Sequence, residues 1–259
     1  MPTATYNNSM EKGLQLLTLF TGDHPSQRLA EISREAGMPK ATALRFLNAL
    51  TRQGFLRKDS AGAYRLGYRL IELGHRASDQ LDLRTIALPY MGALRDALDE
   101  AVQIAVIDGT EAVYLEKVDC RQPVRLFTKA GRRAPLHAGA CPRLLLAFAP
   151  DPLISLVLSE RTERRQFTET TPTDPNQLRA LSEQTRRTGY SLSFGELEAG
   201  SAALAVPLRD YSGNVVATLS VAGPAERFGP DRVPEILAQA RHTAAQISRE
   251  FGFVPIIRS

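Results

Sequence analysis

A histidine and a cysteine stand four residues apart in LHAGACPRLLLAF, Leu136 to Phe148, and this pair is where the sequence first suggests chemistry. His137 and Cys141 could be the base and nucleophile of a thiol enzyme, half of a metal site, the edge of a ligand pocket, or simply part of a helix start. Thiol catalysis needs a base in reach and a third group that orients it. Pro142 suits the first position of a helix, where its missing N–H costs nothing, so the helix is expected to start only after Cys141. The one-turn spacing of a helix then does not apply to His137 and Cys141, and no third partner is visible. Of the four histidines, His24, His75, His137 and His242, none belongs to a cluster with ligand spacing, so neither a metal nor another cofactor is expected. Two readings remain open: a pocket floored by the small residues of the AGA segment, or a cysteine that only packs beside a buttressing histidine. A helix N-terminus at this point would attract a carboxylate or phosphate through its free N–H groups and its dipole.

The elements that must position such a site follow from the remainder of the chain. The 259 residues suffice for two ordinary domains, and 43% hydrophobic with 23% charged residues is a globular composition. No apolar run nears the roughly 20 residues of a membrane span, and the start MPTATYNNSMEKG has no secretory pattern. Two cysteines, Cys120 and Cys141, make no disulfide framework. A cytoplasmic protein without a membrane partner is the expectation. The net charge of +4 lies wholly in the first 75 residues, which carry ten Lys/Arg against six Asp/Glu. From Met38 to Arg69, seven basic residues face only Asp59, the footprint of a nucleic-acid-binding module.

That basic segment reads as three helices and a hairpin. Helices are expected from Ser9 to Phe20, then around Leu29, Ile32 and Ala36 with a stop at Gly37, then from Pro39 to a stop at Gly54. Along PKATALRFLNALTRQG, Ala43, Phe46, Leu47 and Leu50 share one side, and Ala41, Thr42, Arg45, Asn48, Ala49 and Arg52 the other. Two helices joined by a tight turn form a helix-turn-helix whose second member enters the major groove. FLRKDSAGAYRLG adds a hairpin wing flanked by Arg57, Lys58 and Arg65. A linker helix is expected over Tyr68 to Leu83, followed by a helix from Ile86 to Glu100 that Pro89 interrupts. Strand pairs are expected about Asp108-Gly109 and about Ser212-Gly213-Asn214, with a further strand in VRLFTKAG. A helix from Val233 to Phe251 closes the chain. RTERRQ, Arg161 to Gln166, reads as a solvated helix end, and Cys120 as a strand-end residue. The fold class is therefore α+β: a winged helix-turn-helix domain over 1–67, a linker helix over 68–83 and an antiparallel-sheet domain over 84–259, covered on one face by helices.

EKGLQLLTLF, LAEISREAGMPKATALRFLNALTRQGFLRKD, YRLGYRLIELG, AVYLEKVD, APLHAGA with LLLAF, GYSLSFGELEAG, AVPLRD and LSVAGP, in this order, resemble the IclR family of bacterial transcriptional regulators across nearly the whole chain. The resemblance implies a GAF-like effector domain, binding of double-stranded operator DNA as homodimers or homotetramers, small organic acids as effectors, and more often repression than activation. It places recognition-helix contacts at Lys40, Thr42, Arg45 and Asn48; Arg52, Arg57, Lys58 and Arg65 join them from the charge pattern. It places the effector cleft along Gly139, Ala140 and Cys141, and at Ser193, Glu196, Ala203, Ser220 and Ala222. Where the family commonly has Ser-Thr, Gly-Lys and polar or sulfur-bearing residues, this chain has Ala41-Thr42, Pro142-Arg143, Ala203 and Ala222. A cleft poorer in polar groups points to an aromatic or similarly apolar acid. The alternative function is a small-molecule-binding or enzymatic module whose N-terminal domain serves assembly.

Overall fold

The computed structural model describes residues 8–78, 82–123 and 129–254 and divides into two compact units, Met1–Leu81 and Asp82–Ser259. In the first, α1 (Asn8–Thr18), α2 (Leu29–Glu35) and α3 (Lys40–Arg52) precede a hairpin of β1 (Leu56–Lys58) and β2 (Tyr64–Leu66). Leu16, Phe20, Ile32, Met38, Ala43, Leu47, Leu56 and Tyr64 form one core among these elements. The turn between α2 and α3 is locked by the buried Ser33, whose hydroxyl donates to the Met38 carbonyl at 2.6 Å. Pro39 lies one position earlier than expected: it is the N-cap, and its carbonyl accepts from the N–H groups of Thr42 and Ala43. A feature with no sequence signature ties the wing down. Gln27 and Tyr64 exchange backbone hydrogen bonds at 3.0 and 2.8 Å, and the Gln27 side-chain amide donates to the Leu19 carbonyl.

The wing leaves the unit through Gly67, whose N–H donates to the Phe55 carbonyl at 2.8 Å. A Cβ at this position would come within 2.1 Å of the Gly54 carbonyl oxygen, a backbone atom that cannot swing aside. Gly67→Ala is therefore expected to destabilise the first unit by roughly 1–3 kcal/mol, the usual cost of overpacking. Thermal unfolding of the variant checks this; an unchanged melting temperature would mean that the hairpin exit shifts freely.

The helix after the wing, α4, is described over Arg69–Ser78, and residues 79–81 of the Tyr68–Leu83 expectation lie outside the described residues. Leu83 belongs to the next helix, α5 (Leu83–Leu98), because Asp82 caps it by accepting from the Arg84 N–H. Pro89 stands inside α5 instead of interrupting its start.

In the second unit, six antiparallel strands run in the order β5-β4-β3-β8-β7-β6. They are β3 (Ala101–Asp108), β4 (Glu111–Val118), β5 (Arg133–Pro135), β6 (Ser191–Phe194), β7 (Ser201–Arg209) and β8 (Val215–Pro224). Both expected hairpins are present, β3–β4 and β7–β8. Residues 124–128 of the expected strand in VRLFTKAG lie outside the described residues, and the strand pairing β4 is the short β5 beyond it. The remaining helices are α6 (Ala140–Phe148), α7 (Asp151–Val157), α8 (Pro175–Thr188) and α9 (Arg232–Glu250).

The sheet is covered on both faces, not on one. Large aliphatic residues of β3, β7 and β8, such as Ile104, Leu204, Leu208, Leu219 and Val221, pack against α5 and α9. The opposite face meets α6 and α8 through a second core that includes Ala105, Tyr114 and Ala205. Strand alternation therefore separates large side chains from small ones. On the α6 side the sheet offers Ala203, Ala205, Ser220 and Ala222 in register across β7 and β8. Such a floor lets α6 come close and leaves space under one end of it. RTERRQ is not a helix end: α7 stops at Val157, and Arg164 straps the following loop to the carbonyls of Val157, Ser159 and Thr173. Cys120 lies buried two residues past the end of β4. Among the described residues no helix is long and apolar enough to cross a membrane.

Candidate functional site

Two places in the molecule gather the residues singled out by the sequence, one in each unit. In the first unit, α3 buries Ala43 and Leu47 and leaves Lys40, Ala41, Arg45, Asn48 and Arg52 exposed, with Thr42 half-buried between them. The 3.6-residue period causes this division, since positions three and four apart share a face. Among the described residues, Lys40, Arg45 and Arg52 have no carboxylate partner, so their charge is available to a polyanion. The Arg45 guanidinium lies 5.5 Å from the Phe46 ring centroid, which steadies it without neutralising it. Arg57 and Arg65 are cross-strand partners in the wing, and both are exposed. Arg57 rests on the Tyr68 ring and Lys58 on that of Tyr64. Arg65 is held differently, 3.5 Å from Asp59. The Ala63 N–H first, then the Ala61 N–H and Arg65, hold the Asp59 carboxyl below its ordinary pKa. Asp59 thereby serves as the turn's internal acceptor.

In the second unit a cavity of about 40 Å³ lies under the N-terminus of α6, room for a water or two, so that a larger ligand has to widen it. Gly139, Ala140, Ser193, Ala203 and Ala222, five of the eight positions singled out for an effector cleft, line it. Gly139 takes φ +90°, a conformation L side chains rarely adopt, and a Cβ there would also push against the Leu197 Cδ1 at 2.8 Å. The helix begins two residues earlier than expected, at Ala140, so Pro142 is its third residue and not its first. The loss of an N–H still costs nothing there, since the first turn has no intrahelical acceptors. Among the described residues the N–H groups of Ala140 and Cys141 have no partner and are the free donors of this helix start.

Glu196, Cys141 and Ser220 stand behind the cavity wall. The Glu196 carboxylate accepts from the Gly139 N–H at 2.7 Å and from Arg143 at 2.9 Å (Nε) and 2.8 Å (Nη2). Arg143, 4% exposed, also donates to the Leu192 carbonyl. The helix terminus thus already holds one anion, the protein's own. Cys141 is buried beside the hydroxyls of Ser220 and Thr218, and burial pushes its thiol pKa up. His137 turns elsewhere: its Nε2 lies 3.0 Å from the Arg165 carbonyl, and its ring stacks near Phe167. Burial, the larger influence, holds its pKa below the ordinary value. The histidine and the cysteine therefore have separate partners, and the thiol lacks the environment that makes a thiolate.

The cavity is more polar than the alanines at 203 and 222 suggested. Gln103 from β3, Tyr114 from β4, Arg132 from the loop before β5, Glu198 from the loop before β7 and Ser201 at the start of β7 complete its wall. Arg132 and Glu198 pair at 2.6 Å and are partly exposed. Burial pushes the Tyr114 phenol pKa up, so it remains a neutral donor. Sequence reasoning missed these residues because none belongs to the motif around α6. Gln103 carries the one local signal, a polar residue between Val102 and Ile104 in a strand that is buried on both faces.

The chain matches two family models. Residues 9–60 match the IclR helix-turn-helix domain, and residues 75–249 match the bacterial transcriptional regulator IclR C-terminal domain. It is 40% identical over 247 residues to the HTH-type transcriptional regulator KipR of Bacillus subtilis, covering 95% of this chain and 98% of that protein. It is 32% identical to the HTH-type transcriptional repressor AllR of Escherichia coli, covering 94% and 90%. Among solved structures, an IclR homolog complexed with 4-hydroxybenzoate from Microbacterium hydrocarbonoxydans is similar with a TM-score of 0.61 and 30% identity, covering 95% of this chain and 99% of that one.

Proposed function

The chain belongs to the IclR family of bacterial transcriptional regulators, and from that premise we propose that it is an effector-responsive repressor. Its first unit holds operator DNA, and its second unit senses a small organic acid. The observation that carries the DNA half is the exposed face of α3, where Lys40, Arg45 and Arg52, beside Thr42 and Asn48, have no carboxylate partner among the described residues. Arg57, Lys58 and Arg65 extend that positive surface onto the wing. The major groove accepts a helix, and the wing cations suit the phosphates alongside it. Repression is supported by the repressor name of the AllR relative. Family members act as homodimers or homotetramers, and a two-fold operator read by paired recognition helices suits that assembly.

For the effector, the free N–H group of Ala140 suits a carboxylate, and Leu197, Ala203 and Ala222 suit an apolar body. An aromatic or similarly apolar acid matches this combination in chemistry, the cavity widening to admit it, in line with the 4-hydroxybenzoate complex of the Microbacterium homolog. Gly139, Ala140, Ser193, Ala203 and Ala222 touch it; Glu196, Cys141 and Ser220 support the wall from behind. The acid relieves repression by binding one DNA-spacing state of the dimer more tightly than the other, since only differential affinity shifts such an equilibrium. No catalytic step is assigned, because His137 and Cys141 do not face one another.

A gel-shift titration with the DNA upstream of the protein's own gene tests the first half. Binding that weakens steeply with salt is the expected result. No shift at low salt would sink the regulator reading. The second half is tested by adding aromatic and aliphatic acids to the preformed complex, with release expected for those that raise the melting temperature of the free protein.

A further inference from the structure

Gln103, Ser220 and Ser191 lie in one row across the sheet. Gln103 of β3 is the Cα partner of Ser220 of β8, Ser220 is the partner of Ala205 of β7, and Ala205 is the partner of Ser191 of β6. All three polar residues are buried, at 3%, 1% and 2% exposure. Among the described residues, neither the Gln103 Nε2 nor the two serine hydroxyls has a hydrogen-bond partner. Ser220 and Gln103 are direct neighbours and still do not satisfy one another. A buried amide N–H without a partner carries its full desolvation penalty, so such groups are rare unless something else uses them. Gln103 differs from the two serines in one respect: it is part of the cavity wall, alongside Gly139 and Ala140 at the α6 N-terminus.

We propose that Gln103 is a specificity-determining residue of the effector site, donating through Nε2 to a second oxygen of the ligand. This rests on the reading of the cavity as an acid-binding site and sharpens it. The effector class becomes a bifunctional acid, with a carboxylate for the Ala140 N–H group and a hydroxyl or carbonyl oxygen elsewhere on its body. A simple hydrocarbon acid leaves the Gln103 donor unpaired and binds less well. A site built around a hydrogen bond discriminates chiefly by the penalty of leaving its own group unsatisfied. Gln103 suits this role because it projects from the middle of a paired strand, where the backbone cannot drift.

The test uses the full-length protein and matched acids: benzoate against 4-hydroxybenzoate, and hexanoate against 6-hydroxyhexanoate. Binding is measured by calorimetry and by the shift in melting temperature. The wild type is expected to favour at least one oxygenated member by about tenfold, the size of one neutral hydrogen bond. Gln103→Met keeps the volume and removes the donor. It is expected to abolish that preference while leaving the ligand-free melting temperature unchanged or raised, since an unpaired buried donor has gone. If Gln103→Met does not fold, Gln103→Asn is used, which withdraws the amide by one methylene and should reduce the preference. Wild-type binding in which the preference survives in the variant, or is absent altogether, overturns the role of Gln103 and leaves the acid-binding reading standing. Failure of all four acids to bind the wild type overturns the acid-binding reading itself, and this inference with it.

Discussion

Glu196→Ala is expected to lower the stability of the effector unit by about 3–5 kcal/mol, because it leaves the Arg143 guanidinium buried without its counter-charge. The Arg143 side chain is 5% exposed and that of Glu196 is 10% exposed, so neither charge can relax into water. The pair is bidentate, and the same carboxylate also accepts from the Gly139 N–H at the start of α6. Removing it unpairs three donors at once. The loop carrying Glu196 would lose its anchor, although the Thr171 hydroxyl still donates to the Glu196 carbonyl at 2.6 Å. In a unit of this size the loss should appear in scanning calorimetry as a fall in melting temperature on the order of 10 °C. Arg143→Met should cost a similar amount through the orphaned carboxylate. The double variant Arg143→Met with Glu196→Leu should recover most of the loss, since an apolar pair of similar volume often replaces a buried ion pair without penalty. The strong coupling expected between the two sites is measurable as a double-mutant cycle. A loss below about 1 kcal/mol for Glu196→Ala would show that the pair does not hold the α6 terminus in place.

The contrast between α3 and the effector cavity shows which parts of this molecule are legible in its sequence. The face of α3 follows from spacing alone: Ala43, Phe46, Leu47 and Leu50 recur at helical intervals, and the residues between them must face outward. The wing follows from its turn residues, and the two long hairpins from Asp108-Gly109 and Ser212-Gly213-Asn214. Local pattern is enough wherever one element decides the outcome. The cavity depends on which strands become neighbours. Gln103 is the single polar residue in the apolar run 101–107, and nothing in that run tells which other segments meet it at the cavity. Arg132, Glu198 and Tyr114 come from separate segments, and register alone brings them to the end of α6. Pro142 misled by two residues because a proline is tolerated through the whole first turn, so it marks a helix start only to within that turn. The bond between Gln27 and Tyr64 is a backbone contact, and side-chain patterns carry no trace of it.

Arg45→Ala is expected to weaken specific operator binding by about 1–3 kcal/mol, roughly 5- to 150-fold, and to relax preference at one base pair. Arg45 lies midway along the exposed face of α3, one turn from Ala41 and Ala49, whose small side chains let the helix approach the groove floor. Its guanidinium is unpaired and steadied by the neighbouring Phe46 ring, so little conformational freedom remains to be lost on binding. A guanidinium presents two parallel donors that match the O6 and N7 acceptors of guanine; an ammonium does not. Arg45→Lys should therefore keep the charge and the salt dependence but lose most of the base preference. Wing substitutions separate the two effects. Arg57→Ala or Lys58→Ala removes a cation suited to phosphate and should weaken operator and non-operator DNA alike. Each should flatten the slope of log affinity against log salt by about 0.9, the contribution of one phosphate contact. Titration of operator and scrambled duplexes at several salt concentrations reads all four variants together. If Arg45→Ala weakened both duplexes equally, with the slope reduced as in the wing variants, Arg45 would be a phosphate contact. Base readout would then rest on Thr42 and Asn48, the uncharged side chains of that face with groups able to bond base edges.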